Sequence, residues 1–120
     1  MEKFYYRRLE VYQNAKILAI NVNEDLKTFP MEERFGLTNQ LRRASTSIMF
    51  NIAEAFGRYS EKERIHFLDI ANGSLMETSS ELELALSYGY ISKEKMDSYD
   101  DAILIMAKQI AKLRTSLNNK

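Results

Sequence analysis

Met96, Tyr99, Ile103, Met106, Ile110, Leu113 and Leu117 follow one another at alternating steps of three and four residues. A series with that period stays on one side of an α-helix over several turns. Such a stripe must be covered by other elements, and the rest of the chain supplies more of the same kind. Val11, Ala15, Leu18, Val22 and Leu26 mark a stripe in a first segment, Tyr6 to Thr28. Leu41, Ala44, Ile48, Ile52 and Ala55 mark a second, Thr38 to Phe56, with Thr38 as its expected N-cap. A third opens on Ser60-Glu61-Lys62-Glu63, a capping box in which the hydroxyl and the Glu63 carboxylate each take a backbone N–H. It continues through Ile65, Leu68, Ala71, Leu75, Thr78, Leu82 and Leu86 to Gly89, placed as a left-handed residue past a helix end. Ser92 is the expected N-cap of the last segment.

Nothing alternates with period two, so no sheet is expected. The single proline, Pro30, and Gly36, Gly57 and Gly89 fall at the joins, and "FPMEERFGL" has room for a short helical turn. The expected fold is all-α: an antiparallel, up-down-up-down four-helix bundle with left-handed packing, one domain over residues 1–120. The closing "SLNNK" is expected to fray.

The chain has no cysteine, which excludes a disulfide framework and a thiolate metal site and fits a reducing compartment. "EKFYYRRLE" after Met1 has no apolar leader core. The longest fully apolar run, Ala102 to Ala107, is far too short to span a bilayer. A cytoplasmic protein without membrane contact is expected.

Lys plus Arg and Asp plus Glu balance at 17 each, so net charge alone points to no polyanion. The distribution is more telling. Alternating helix directions would bring the chain start, the turn between the second and third helices and the chain end to one pole. Lys3, Arg7, Arg8, Arg58, Lys62, Arg64, Lys108, Lys112, Arg114 and Lys120 would gather there, against Glu2, Glu10, Glu54, Glu61, Glu63 and Asp69. The other pole would collect Glu24, Asp25, Glu32, Glu33, Glu77, Glu81, Glu83, Glu94, Asp97, Asp100 and Asp101. Guanidinium forks match phosphate oxygens, so Arg7, Arg8, Arg58, Lys62 and Arg64, joined by Arg42 from the flank of the second helix, are candidate RNA or DNA contacts. The same charges also fit a solvated surface and helix-end complements to the macrodipole. Phe4, Tyr5, Tyr6 and Tyr12 cluster near this pole, and Tyr59 adjoins Arg58. Such rings serve either as core or interface filler or as stacking partners for unpaired bases.

The second segment, "LRRASTSIMFNIAEAFGR", holds small polar residues where a solvated helix would hold Glu, Lys and Gln. Gln40, Arg43, Ser47, Asn51, Glu54 and Arg58 form a polar stripe beside the apolar one. His66, Asp69, Gly73, Glu77 and Ser80, with Ser74 alongside, form its counterpart on the third segment. Ser47, Gly73 and Ser74 would let two backbones approach closely, Arg43 would pair with Glu77, and Asn51 would bond across the groove. A face of this kind is packed against protein, within the chain or in a second subunit.

Catalytic and metal chemistry find little support. Glu63-Arg64-Ile65-His66 matches E-x-x-H, but a di-iron bundle needs two such motifs and the chain has one histidine. Ser60, His66 and Asp69 lie on one local turn with no oxyanion hole in view. No phosphate-cradling glycine motif is present. No enzyme activity, metal or cofactor is expected.

"LEVYQNAKILA", "FPMEERFGLTNQLRRASTSIMFNIAEAFGR", "FLDIANGSLMETSSELELAL" and "GYIS", in that order, resemble the bacterial four-helix-bundle proteins encoded in intervening sequences of large-subunit ribosomal RNA genes. That family is similar to the accessory variability protein of diversity-generating retroelements. The resemblance covers nearly the whole chain and implies a homo-oligomeric ring, typically a pentamer. Accessory relatives bind nucleic acid and a reverse transcriptase through basic surface. Its signature falls on Arg43, Ser47, Asn51, Ile52, Ala53, Glu54, Gly73, Ser74 and Glu77. Two positions depart from it: Tyr12, often Trp in the family, and Ala55, often Gly. The neutral charge also departs from the more basic accessory relatives. Together these readings lead to a ring protein that binds RNA or DNA through its basic pole, or to an oligomeric scaffold for a protein partner without nucleic-acid contact.

Overall fold

The computed structural model describes residues 1–118. Among them the apolar stripes become five α-helices and no strand: α1, Tyr5–Arg8; α2, Glu10–Leu26; α3, Leu37–Phe56; α4, Glu61–Ser87; and α5, Lys93–Asn118. A 3-10 turn at Met31–Glu33 lies between α2 and α3. Each long helix packs on the next in sequence, and α2 also packs on α5, closing the set around one core. The α3–α4 pair is the most extensive and the α2–α5 pair the least. Leu41, Ile48, Ile52, Leu68, Leu75, Leu82 and Met106 are fully buried at the centre. Burial of each such side chain contributes roughly 1.5–3 kcal/mol.

The helix ends show what stops each element. Ser60 Oγ accepts the Glu63 N–H at 3.0 Å, capping α4, although the return bond from the Glu63 carboxylate is not among the hydrogen bonds of the described residues. Ser92 Oγ accepts from the Lys95 N–H at 3.1 Å and caps α5. At the end of α4, Gly89 has φ of 81°. Its N–H donates to Leu86 O at 2.9 Å, and Tyr90 N–H donates to Ala85 O at 2.8 Å. These two bonds form a Schellman closure.

Three expectations are corrected. The first segment is not one helix. Leu9 adopts an extended conformation between α1 and α2, because Tyr5 packs on Phe56 of α3, with ring centroids 5.6 Å apart. A continuous helix would carry Tyr5 away from that contact. Thr38 is not an N-cap; it lies buried inside α3. The cap comes instead from Glu33, whose Oε1 accepts the Leu37 N–H at 3.2 Å. A Cβ on Gly36 would stand 3.0 Å from that oxygen, so the glycine leaves room for the carboxylate. Finally, Ser116, Leu117 and Asn118 are helical rather than frayed, and Leu117 is buried; Asn119 and Lys120 lie outside the described residues.

Glu33 carries a second bond. Its Oε2 accepts the Tyr90 hydroxyl at 2.8 Å, tying the α4–α5 turn to the start of α3. That bond, then burial, pushes the Tyr90 hydroxyl up to about 12, so it remains a donor through neutral pH. Glu33→Ala should therefore cost about 1–2 kcal/mol by removing a cap and a cross-link together. Gly89→Ala should cost about 1 kcal/mol through its left-handed backbone. Chemical denaturation of the two variants checks both values; an unchanged midpoint in either would refute the role given to that residue.

Candidate nucleic-acid interface

Part of the expected gathering of basic residues is seen at one end of the molecule; Lys120, also expected there, lies outside the described residues. Packing of α1 on α3 brings the N-terminal segment with Arg7 and Arg8 to the end of the molecule where the α3–α4 turn carries Arg58 and the first turn of α4 carries Lys62 and Arg64. The end of α5 joins them: Leu113, Ser116 and Leu117 share a cleft with Tyr5, Phe56 and Arg64. Arg114 reaches across to α4, with Nε 2.7 Å and Nη2 3.3 Å from the Asp69 carboxylate oxygens.

These cations are not all free. Arg58 donates to Glu54 at 2.5 Å, one turn back, and its guanidinium lies 4.5 Å from the centre of the Phe67 ring. Arg7 sits 3.5 Å from Glu2 and 4.8 Å over the Phe4 ring. Arg114 is held by Asp69, whose hydrogen bond raises its affinity for its proton further. Arg8, Lys62 and Arg64 make no ion pair among the described residues. Arg64 is positioned without being neutralised: its Nε donates to the Arg58 carbonyl at 2.8 Å. Arg42 stands apart. Sixteen residues before Arg58 on α3, it is displaced from it by about 24 Å along the helix axis, so the structure does not bring it to the pole.

The polar stripe lies along the α3–α4 seam, but with different partners from those expected. Ser47 and Ser74 share a hydrogen bond of 2.9 Å between the helices. Asn51 does not cross the groove; its Nδ2 donates to the Ser47 carbonyl at 2.8 Å and to Ser47 Oγ at 2.9 Å. Thr78 returns its hydroxyl to Ser74 O at 2.8 Å, and Thr46 returns its own to Arg42 O at 2.9 Å. Small polar groups can be buried here because each finds a partner on its own helix or the facing one. Gly73 permits no close approach: it is exposed, and nothing lies within 4 Å of where its Cβ would be. Arg43 and Glu77 are both exposed and form no ion pair. Glu77 instead neighbours Glu81, one turn on. Glu81 is buried, with Oε1 unpartnered. Burial first, then the Glu77 charge and a hydrogen bond to it, push the Glu81 carboxyl up to about 7.

At the opposite pole Asp25 is the joint. It accepts from both Lys95 and the Tyr99 hydroxyl on α5. Lys27–Glu24 and Lys93–Asp97 pair locally, at 2.7 and 2.6 Å. The clustered acids there are therefore partly engaged in holding helices together. Among the described residues, no group of three or more His, Asp or Glu side chains is placed to hold a metal ion, and no helix is long and apolar enough to cross a membrane.

Two elements of the site were not anticipated. Phe56, Leu113 and Leu117 form a floor beneath the N-terminal rings; of these, Phe56 falls outside the core stripe of α3, which was the available sign. The burial of Glu81 was not anticipated either: its charge places it only among the acids of the other pole, although Thr78 and Leu82 beside it lie on the core stripe of α4.

An all-helical chain with a basic, aromatic pole and a hydrogen-bonded α3–α4 seam is thus defined. It belongs to the 23S rRNA-intervening sequence protein family, whose model matches residues 7–112. Among solved structures it is similar to a protein of unknown function from the S23 ribosomal protein family of Bacteroides thetaiotaomicron. Identity is 28%, the match covers 87% of this chain and 97% of that one, and the TM-score is 0.80. None of the curated proteins compared with it matches.

Glu81 gives a pH test. Its folded-state value of about 7 lies above the ordinary 4.5. Between these values the folded state holds more protons than the unfolded one, so stability should fall as pH rises through that window. Glu81→Gln should flatten the profile and add about 1 kcal/mol at pH 8. Denaturation midpoints from pH 4 to 8 check this; a wild-type profile with no fall between pH 5 and 7 would refute it.

Proposed function

We propose that this chain is a non-enzymatic homo-oligomer, a pentameric ring, that binds RNA or DNA through its basic pole in the cytoplasm. The carrying observation is the convergence of Arg8 with Arg58, Lys62 and Arg64, from two separate parts of the chain, onto one end of the molecule. Residues distant in sequence, meeting with their charges only partly neutralised, make an anion-attracting surface. The cyclic contacts among α2, α3, α4 and α5 support an antiparallel, up-down-up-down four-helix bundle with left-handed packing as the subunit. Family membership supports the ring, which would multiply the pole.

A second reading rests on the flanks of α2. Ile17, Ile20, Phe50 and Ile105 are more than half exposed there. Apolar side chains grouped in this way suit protein contact. They serve either ring assembly or the alternative function, an oligomeric scaffold for a protein partner without nucleic-acid contact.

Fluorescence anisotropy with labelled structured RNA and duplex DNA across a salt series decides between the two. Phosphate contacts require affinity that falls steeply with salt. Arg58→Glu with Arg64→Glu should abolish binding with little loss of stability, since Arg58 is partly exposed and Arg64 gives up one bond to a backbone carbonyl. Unchanged affinity in that variant would exclude the pole. Light scattering should give five times the chain mass, and a monomer would count against both readings.

A further inference from the structure

We propose that the cleft beneath the N-terminal rings is a seat for an unpaired RNA nucleotide, its base stacked on the aromatic wall and its phosphate on Arg64. This rests on the pole's being a nucleic-acid surface and adds which form of nucleic acid it takes.

The cleft has a volume of about 620 Å³ and is lined by Tyr5, Phe56, Gly57, Arg64, Ser116 and Leu117 among others. That is within the roughly 300–1,000 Å³ range of small-molecule clefts. Its aromatic wall is incompletely used by the fold. Tyr5 packs one way on Phe56, yet it remains 57% exposed, and Phe4 53%. Arg7 lies over the Phe4 ring and Arg8 over the Tyr5 ring, so a base would stack here by taking the place of one of these exposed guanidiniums.

Arg64 suits the phosphate. Its Nε is committed to the Arg58 carbonyl, which fixes the guanidinium plane. Its two terminal nitrogens make no hydrogen bond or ion pair among the described residues. Arg8 adds charge next to the wall, 5.5 Å from the Tyr5 ring centre.

The absence of acid sets this cleft apart from two others. The groove between α2 and α5 is lined by Glu24 and Asp25 against Lys95, and the groove between α2 and α3 by Glu24 against Lys16 and Lys27. In both, a carboxylate stands beside the cations. The pole cleft has no carboxylate in its lining. A flat wall, a fixed guanidinium and the absence of acid match a base joined to a phosphate. A base inside a duplex has both faces stacked already, so only an unpaired one can use the wall. RNA presents such bases in loops, bulges and ends.

The test uses the full-length protein and one 2-aminopurine-labelled sequence in three forms: single-stranded RNA, the same RNA in a duplex, and single-stranded DNA. Single-stranded RNA should bind about ten-fold tighter than the duplex, with 2-aminopurine fluorescence quenched on binding. Tyr5→Leu keeps an apolar side chain and removes the π-face. It should lose the quench and about ten-fold of the single-strand affinity while leaving duplex binding unchanged. Arg64→Gln should weaken both RNA forms, which separates the phosphate contact from stacking. Equal binding of single strand and duplex without quenching would overturn the base seat and leave the basic pole standing. Tighter binding of single-stranded DNA than of RNA would overturn the choice of RNA. Failure of every form to bind at low salt would overturn the pole itself.

Discussion

The α3–α4 seam sets the geometry of everything that follows. It is the most extensive helix contact, and Ser47 and Ser74 bond across its middle at 2.9 Å. A hydroxyl pair is a narrow fitting. Two larger side chains would force the helices apart, and one apolar side chain would strand the other hydroxyl. The register it fixes determines where Gly57 to Ser60 turn, and so where Arg58, Lys62 and Arg64 emerge. Phe56, the last residue of α3, is then placed to receive Tyr5. The basic pole thus depends on the seam's register, where this partly buried polar contact adds to the packing of Ile48, Ile52, Leu68 and Leu75.

The two poles are organised by different means. At the acidic pole, carboxylates work as acceptors: Glu33 takes a backbone N–H and the Tyr90 hydroxyl, and Asp25 takes Lys95 and Tyr99. All but the Glu33–Leu37 bond join segments distant in sequence, so negative charge is consumed in holding the fold. At the basic pole, of the ion pairs among the described residues, Asp69–Arg114 alone links distant segments. Arg58–Glu54 lies within one turn, and Arg7–Glu2 within the first few residues. Exposed pairs of that local kind contribute little, about 0–1 kcal/mol. A ligand that displaces one of these carboxylates therefore meets little resistance from the fold.

Much of the helical layout was legible because apolar period is a local property. The stripes in α2, α3, α4 and α5 named the buried residues, and Ser60, Gly89 and Ser92 marked ends through their own side chains or backbone freedom. The misreadings share a cause: each turned on a particular side-chain partner that apolar period does not name. Leu9 breaks the first segment because Phe56, far along the chain, holds Tyr5. Thr38 had the right chemistry for a cap, but Glu33 reached Leu37 and the threonine was buried. The pairing of Arg43 with Glu77 followed from spacing alone. Both side chains leave the seam on its outer edge, and Glu77 has Glu81 as its neighbour instead. For the candidate site, the charges and rings were named from sequence, whereas the cleft floor needed the ends of α3 and α5 to meet.

The net charge of the chain is zero, and that bears on how the pole would work. Of the cations assigned to it, Arg8, Lys62 and Arg64 at the cleft, with Lys3, Lys108 and Lys112, are without an ion pair among the described residues, against six carboxylates assigned to the same pole. So few phosphate contacts give one subunit a weak hold on a polyanion, because the electrostatic part of affinity grows with the number of contacts. A ring alters this without changing any subunit. Once one pole is engaged, the next meets the same strand at a high effective concentration, and the weak contacts multiply. The neutral composition and a nucleic-acid surface are therefore compatible under one condition, that the binding unit is the assembly.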